Sequence, residues 1–478
     1  MKRRRLFGTD GIRGVAGEFP LDAPAAHAAG AAIGRWARTM EQEPRVAAGI
    51  DTRESSPALA AQLAGGLAAE GVRTHFAGVI TTPGIAYLTR TGTYVAGVMI
   101  SASHNPYQDN GIKVFGHSGN KLPDEREREI EQDIFGLLER DSDPSPAELR
   151  EDPSLDRLYL DYLISTFPRR LDGLEIVIDG ANGAASRIGP ELFERLGATV
   201  HRIHCEPDGR NINRDCGALH PEALSREVQA RGADAGVALD GDGDRAMLVS
   251  RSGRVWNGDA ILLVAARHLL KKGRLSDAGA QPSVVATVMS NLGLEQALAR
   301  DGIRLARTAV GDKYVLEEMI RRGAKLGGEQ SGHVIFREYS TAGDGLLTTL
   351  RILEAAQDSG RDLDGMAPDL VIYPQRLVNV RVRERAPLED LDGVEAAIRE
   401  ARTAFGDSGR VLVRYSGTEA LARVMVEGPD ERKVEDFARR IAAEIQRSLG
   451  SEGASEGGAA KSSMSRSFPS NASGENGF

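Results

Sequence analysis

Short apolar, β-branched runs alternate along this chain with longer amphipathic stretches rich in Ala and Leu. RVAAGID (45–51) precedes SPALAAQLAGGLAAEG (56–71), and LEIVID (174–179) precedes SRIGPELFERLG (186–197). DAGVALD (234–240), SVVATV (283–288) and LEQALARDG (294–302) continue the series. Apolar runs bounded by turn residues predict buried strands, and apolar positions at helical spacing predict helices packed on them. Strand-then-helix alternation predicts an α/β fold built from mostly parallel sheets. Several predicted strands end in Asp followed by a loop of small residues. In such sheets ligands bind beyond the carboxyl ends of the strands, so the chemistry is expected in those loops.

The pattern breaks in four places. DSDPSPAELREDPS (141–154) is rich in Pro, Ser and acid and reads as a linker. RSGRVWNGD (251–259) reads as a turn between a strand and a long helix, and MAPDLVIYPQ (366–375) marks a third break. After about residue 449 the chain is Ser/Gly-rich and nearly free of aliphatics, so it cannot bury enough apolar area to offset ordering entropy. The expected division is four domains, 1–150, 151–255, 256–368 and 369–448, with a disordered tail over 449–478. A length of 478 residues agrees with three or four domains of about 150 residues each.

Composition narrows the class. At 41% hydrophobic and 27% charged residues the chain is ordinary globular protein with room for a large core. A net charge of −9 argues against nucleic acid as a partner. The basic start, Lys2 to Arg5, is followed by no apolar segment and reads as solvated charge rather than a leader. The longest near-apolar run, Ile261 to Leu270, contains Arg267 and His268 and is too short to span a membrane, so no membrane partner is expected. Cys205 and Cys216 lack CxxC spacing, which suits a reduced, cytoplasmic protein without disulfides.

VALDGDGDRAMLV (237–249) carries the sharpest local signal. Asp240, Asp242 and Asp244 alternate with Gly241 and Gly243 between two apolar runs. Glycine permits the tight backbone path that lets alternate side chains converge. Three carboxylates in this pattern suit a hard cation such as Mg²⁺. An EF-hand loop is excluded, because Arg245 stands at its required glycine and Arg251 at its required glutamate. Three carboxylates leave coordination positions for water or a phosphate oxygen, which points to phosphoryl chemistry.

GVMISASHNPYQDNGIK (97–113) delivers Ser101, Ser103 and His104 to the end of a predicted buried strand. In extended backbone adjacent side chains diverge, so His104 is not expected to reach Ser103 as its base. No G-x-S-x-G elbow surrounds the serine either. A phosphorylated Ser103 is the alternative, and for SASHNP alone an Asx/Pro turn is equally good. Phosphoserine at about −2, three aspartates and one Mg²⁺ would leave the site about three charges short. Arg245, Lys113 and Arg13 (in FGTDGIRG) are the candidate counter-charges.

Two further loops favour phosphate. RYSGTEALARV (414–424) groups Arg414, Ser416, Gly417, Thr418 and Arg423, the makings of a metal-free phosphate cradle. GGEQSGHVIF (327–336) places Glu329, Ser331 and His333 after a glycine pair. Carboxylate, hydroxyl and imidazole can bond sugar hydroxyls, though alone this stretch is as readily a polar turn.

Taken together and in order, FGTDGIRG, ISASHNP, DGDGDR, GEQSGH and RYSGTE resemble the α-D-phosphohexomutase superfamily over roughly residues 5–448. FGTDGIRGVAG, DGRNINRDCGALHPE (208–222), AVGDKYV (309–315), Gln330 and RVMVEG (423–428) resemble its phosphoglucosamine mutase branch. The resemblance implies four domains around a central cleft, three related α/β domains with mixed sheets and a smaller C-terminal α+β domain. It implies that Ser103 carries the phosphoryl group and that Ser103, Asp240, Asp242 and Asp244 hold one Mg²⁺ per subunit. Glu329, Ser331, His333 and Lys313 would read the sugar, and Arg414, Ser416, Gly417, Thr418 and Arg423 the non-reacting phosphate. His104 and Lys113 would move protons, Lys113 with a pKa lowered by neighbouring cations. The substrate would be a sugar phosphate, with a sugar 1,6-bisphosphate as activator and a homodimer as the expected assembly. Two departures stand out: Ala420 replaces the superfamily's usual proline, and Lys313 stands where Arg is common.

Overall fold

A computed structural model of the chain describes residues 6–8, 10–140, 144–416 and 420–450. The tail assigned to 449–478 lies outside them but for its first two residues. The described chain forms two compact units, one of residues 1–290 with 297–370, the other of 291–296 with the chain from 371 onward.

The first unit holds three sheets. In the first the order is Phe7–Gly8, Gly11–Val15, Asp109–Gly116, Ala96–Ile100, Arg45–Ile50 and Arg73–Val79. The last three run parallel, as the strand–helix alternation predicts, while Asp109–Gly116 returns antiparallel to Ala96–Ile100. The second sheet runs Val255–Trp256, Ala246–Ser250, Ala235–Leu239, Glu175–Asp179 and Thr199–Ile203. The third runs Arg304–Thr308, Ser283–Thr287, Leu326–Gly328 and Val334–Phe336. All three sheets are mixed, because each parallel core is extended by an antiparallel return strand. The second unit is a three-stranded antiparallel sheet, Gln375–Arg381, Leu421–Glu427 and Arg410–Tyr415, with helices Asp392–Phe405 and Glu431–Leu449.

The predicted helices form where the apolar spacing places them, over Ser56–Ala69, Ala185–Arg195 and Leu292–Arg300. The apolar run Ile261–Leu270 lies in the helix Gly258–Lys271, capped by Asn257 and buried along most of its length. Among the described residues no helix is long and apolar enough to cross a membrane.

The stretch 141–154, read as a linker, connects the elements of the first sheet to those of the second, and its described part is packed down rather than free. Ala147 N donates to Ala61 O at 2.9 Å, Asp152 N donates to Phe76 O at 2.8 Å, and Glu151 bridges to Phe76. A Cβ on Gly65 would lie 1.8 Å from Ser145 O, so the strap lies directly on the helix 56–69. Its backbone, bonded to the helix at Ala61 and to the edge strand at Phe76, ties it to the first sheet.

Candidate active site

Strand pairing assembles the site within the first unit. Ala96–Ile100 ends at Ser101, and its antiparallel partner brings Lys113 opposite Met99. The next strand places Arg13 opposite Gly111. Asp240 to Arg245 form the hairpin loop between Ala235–Leu239 and Ala246–Ser250. The third sheet contributes the turn between Leu326–Gly328 and Val334–Phe336, which carries Glu329, Ser331 and His333.

Ser103 is buried, and its Oγ donates to Asp240 Oδ2 at 2.6 Å. Its backbone has φ of +54°, and His104 Nδ1 lies 3.3 Å from the same Oγ. The expectation that His104 points away therefore fails, because it assumed extended backbone and Ser103 is in the left-handed region. Burial lowers the His104 pKa to about 3, helped by the nearby Arg245 and Arg13 guanidiniums.

The left-handed serine is held from behind by Arg53. Its Nη2 donates to Ser103 O and Asn105 O, each at 2.9 Å, and its Nη1 to Asp109 O at 3.0 Å and to Pro106 O. Asp51 pairs with Arg53 Nε at 2.8 Å and accepts from Ser101 Oγ at 2.7 Å. Asn213 Nδ2 also donates to Ser103 O, at 2.8 Å. Neither Arg53 nor Asn213 stands out in the sequence. The signal for Arg53 was the Asp51 that ends a predicted strand before a small-residue loop.

The three aspartates converge as the alternating pattern predicts. All are buried, with one oxygen of each within 4.8 Å of the others. Gly243 has φ of +73°, and a Cβ on Gly241 would lie 2.5 Å from Ser103 O, so glycine lets the acidic loop press against the serine loop. Asp242 Oδ1 and Asp244 Oδ1 are buried without a hydrogen-bond partner. Three converging carboxylates with two orphaned oxygens fit a hard divalent cation such as Mg²⁺. Burial and repulsion from Asp244 and Asp242 push the Asp240 pKa well up. Burial would raise Asp242 too, but the Lys113 ammonium and hydrogen bonds from Lys113 and Thr82 hold it at about 2.

Lys113 is buried, 2.7 Å from Asp242 Oδ2 and 3.4 Å from both Asp244 Oδ2 and Asp10 Oδ2. Burial works against its charge, but these three carboxylates outweigh it and raise the pKa. The expected lowering is thus contradicted: carboxylates, not cations, dominate its surroundings. Arg13 pairs with Asp10, which Lys121 also contacts. Arg245 Nε lies 3.8 Å from Asp244 and 4.0 Å from Asp240. Asp10, Asp240, Asp242 and Asp244 are therefore met by Arg13, Lys113, Lys121 and Arg245. A phosphoserine together with a divalent cation would add opposite charges of similar size. Arg13, Lys113 and Arg245, the candidate counter-charges, all pair with acids of this cluster, and Asp10 and Lys121 join them unforeseen.

The sugar-loop candidates sit close by. Glu329 Oε1 accepts from Gly311 N at 3.1 Å, and Ser331 Oγ lies 3.5 Å from Glu329 Oε2. His333 is buried, and its Nε2 accepts from Gly343 N at 3.2 Å, with Asp312 3.7 Å away. Nδ1 then carries the proton and has no protein partner. Ala246 N donates to Gly332 O at 3.1 Å, which docks this turn on the acidic hairpin. Lys313 is turned elsewhere: its Nζ bonds Leu122 O at 3.1 Å and pairs with Asp124.

In the second unit Arg414 and Arg423 face each other across neighbouring strands. Burial and the Arg423 charge lower the Arg414 pKa. Ser416 is buried at the end of its strand, its N donating to Leu421 O at 2.8 Å. Gly417 and Thr418 lie outside the described residues.

Family models cover the chain in four consecutive pieces. They are phosphoglucomutase/phosphomannomutase alpha/beta/alpha domain I over 4–141, domain II over 157–253, domain III over 257–371 and the C-terminal domain over 377–444. The phosphoglucosamine mutase of Solibacter usitatus is 60% identical over 445 residues, 93% of this chain and 99% of that protein. A phosphoglucomutase/phosphomannomutase family protein from Burkholderia thailandensis superposes with a TM-score of 0.76 at 23% identity, covering 94% of this chain and 98% of that one. Aspergillus fumigatus N-acetylphosphoglucosamine mutase, in complex with GlcNAc-6P and magnesium, gives 0.60 at 18% identity over 93% and 96% of the two chains.

Proposed function

The chain belongs to the phosphoglucomutase/phosphomannomutase family, and on that premise we propose that it interconverts glucosamine 6-phosphate and glucosamine 1-phosphate. The observation that carries this reading is a left-handed, buried Ser103 bonded to a triad of converging aspartates, in a chain 60% identical to a phosphoglucosamine mutase.

Ser103, once phosphorylated, gives its phosphoryl group to O1 of glucosamine 6-phosphate. The P–Oγ bond breaks, a P–O1 bond forms, and the O1 proton leaves. The resulting 1,6-bisphosphate turns over and returns its 6-phosphoryl group to Ser103, releasing glucosamine 1-phosphate. Magnesium bound by Ser103, Asp240, Asp242 and Asp244 would withdraw charge from the phosphoryl oxygens and improve the leaving group. Arg13, Lys113 and Arg245 neutralise the remaining charge, which is most of what phosphoryl transfer asks of a protein. We assign proton movement at the sugar hydroxyl to His104 and Lys113, the proton carriers of the Ser103 pocket. Glu329, Ser331 and His333 position sugar hydroxyls. Arg414, Ser416, Gly417, Thr418 and Arg423 hold the phosphate that is not reacting, alternately the one on O6 and the one on O1. A sugar 1,6-bisphosphate can load Ser103 directly, since it is the enzyme's own intermediate.

The test is the initial rate with Mg²⁺ on glucosamine 6-phosphate, glucose 6-phosphate and mannose 6-phosphate, with Ser103→Ala as blank and inorganic phosphate monitored. A kcat/KM preference for the amino sugar is expected. A preference for glucose or mannose would move the reaction to phosphoglucomutase or phosphomannomutase chemistry of the same fold. Stoichiometric phosphate release would make the protein a phosphatase.

A further inference from the structure

Both cysteines of the chain lie beside Asp179, at the carboxyl end of the strand Glu175–Asp179, away from the residues assigned above. Asp179 is fully buried. Its Oδ1 accepts from Ala181 N at 2.9 Å and its Oδ2 from Gly217 N at 3.0 Å. A carboxylate has lone pairs beyond those two bonds. His204 Nδ1 lies 3.0 Å from Asp179 Oδ2, yet the ring is not turned to donate to it, and Nδ1 has no hydrogen-bond partner. Cys216 is buried, and Asp179, His204 and Cys216 each present a donor atom within 4.8 Å of the other two. Donor atoms around one tetrahedral zinc-class ion sit roughly 3.3–3.8 Å apart. At 3.0 Å the two sit slightly closer than ligands of one ion, and pairing with Asp179 raises the His204 pKa, so an entering ion would have to displace that pairing.

The backbone here is strained in a way that only strong local constraints sustain. Of the six described non-glycine residues with positive φ, five lie in these loops: Ala181, Asn182, His204, Asn213 and Asp215. His204 itself has φ of +48°. Histidine is among the side chains that tolerate this region, and here the turn carries the imidazole to within 3.0 Å of Asp179. His204 is a third exposed, which leaves a path for an ion to enter.

We propose that Asp179, His204 and Cys216 form a second metal site, for a zinc-class divalent cation, separate from the magnesium site at Asp240–Asp244. Carboxylate oxygen, imidazole nitrogen and thiolate sulfur are the donor set for such an ion, and three protein ligands leave a fourth position for water. Binding releases the Cys216 thiol proton to solvent. Cys205 is not a ligand; its Sγ faces the carbonyl oxygens of Ile203 at 3.3 Å and Ile178 at 3.9 Å. The site would tie together the two ends of the loop 204–216, whose Asn213 grips Ser103 O.

The test uses the full-length protein, stripped with chelator, held in saturating Mg²⁺ and titrated with Co²⁺. A thiolate-to-cobalt charge-transfer band saturating at one equivalent is expected, since an all-oxygen magnesium site cannot give one. Zn²⁺ should displace it stoichiometrically. Cys216→Ser should abolish the band and Cys205→Ser should keep it. His204→Gly, which suits a positive φ and so keeps the fold, should weaken cobalt binding by at least about tenfold. No band at one equivalent, or a band that survives Cys216→Ser, overturns the proposal. If Cys216→Ser does not fold, unchanged cobalt affinity in His204→Gly overturns it as well.

Discussion

The Ser103 pocket and the Arg414/Arg423 ladder handle charge in opposite ways. In the first, four carboxylates and four cations interlock in a largely buried network drawn from the first two sheets. In the second, two guanidiniums stand opposite each other on adjacent strands, and burial and the Arg423 charge make the Arg414 charge more costly. The pocket balances its charge with its own residues, as suits a site that holds a dianion and a cation together. The ladder places two like charges at one level of a single sheet.

The largest way to break the contrast is Ser103→Ala, which should lower mutase turnover by roughly 10³-fold or more, as loss of a covalent nucleophile does. If turnover survives, the pocket is not where the phosphoryl group resides. Asp242→Asn removes one converging oxygen and leaves Lys113 with weaker compensation. We expect about a 10²-fold loss of kcat, scaled to removal of one electrostatic contact to the transition state, with elevated Mg²⁺ restoring little of it.

Arg53→Met separates architecture from chemistry. It leaves Asp51 buried and uncompensated, and should cost about 3–5 kcal/mol in urea unfolding. A small cost would mean that the left-handed Ser103 is held by its neighbours without Arg53. On the other side, Arg423→Ala should raise KM for glucosamine 6-phosphate roughly tenfold to a hundredfold, the worth of a charge-assisted phosphate contact. An effect on kcat alone would instead place Arg423 at the reacting phosphoryl group.

A pH-dependent effect concerns a buried acid beside the first region. Asp344 caps the helix Gly345–Ser359 through Leu347 N at 2.9 Å and accepts from Tyr159 Oη at 2.8 Å. Burial pushes its pKa up to about 6, which its hydrogen bonds only partly offset. A raised folded pKa favours the protonated form, so its stabilisation is complete below the unfolded pKa and is lost as pH rises through about 6. Relative to Asp344→Asn, which keeps the cap, the native protein should lose roughly 3 kcal/mol of stability between about pH 4 and pH 7. Parallel unfolding curves for the two proteins across that range would place the titration elsewhere.

The loops were legible because chemistry was concentrated within a few residues. Three aspartates alternating with glycine announce a cation, and their convergence needs only the hairpin they sit in. Arg414 and Arg423 were legible for the same reason, lying at one level of a single ladder. Arg53, Asp10, Lys121 and Asn213 were not, because nothing in their local sequence says what lies across the fold. Arg53 reaches residues about 50 positions away, and Asn213 contacts Ser103 from 110 positions away. The sequence argument about His104 failed on a single dihedral, since an extended serine and a left-handed one read identically as letters.

What the sequence by itself determined is the set of elements and the grouping of polar side chains: α/β alternation, three carboxylates converging in one hairpin, a serine at a strand end, and two arginines at one level of a ladder. Each rests on local periodicity or on close spacing, which short-range physics decides. Only the tertiary structure decided which charges face which. Lys113 is a buried ammonium among carboxylates, Lys313 is tied to Asp124, and Cys216 lies beside His204 and Asp179. Burial and pairing set the energy of a charge, and both belong to the whole fold.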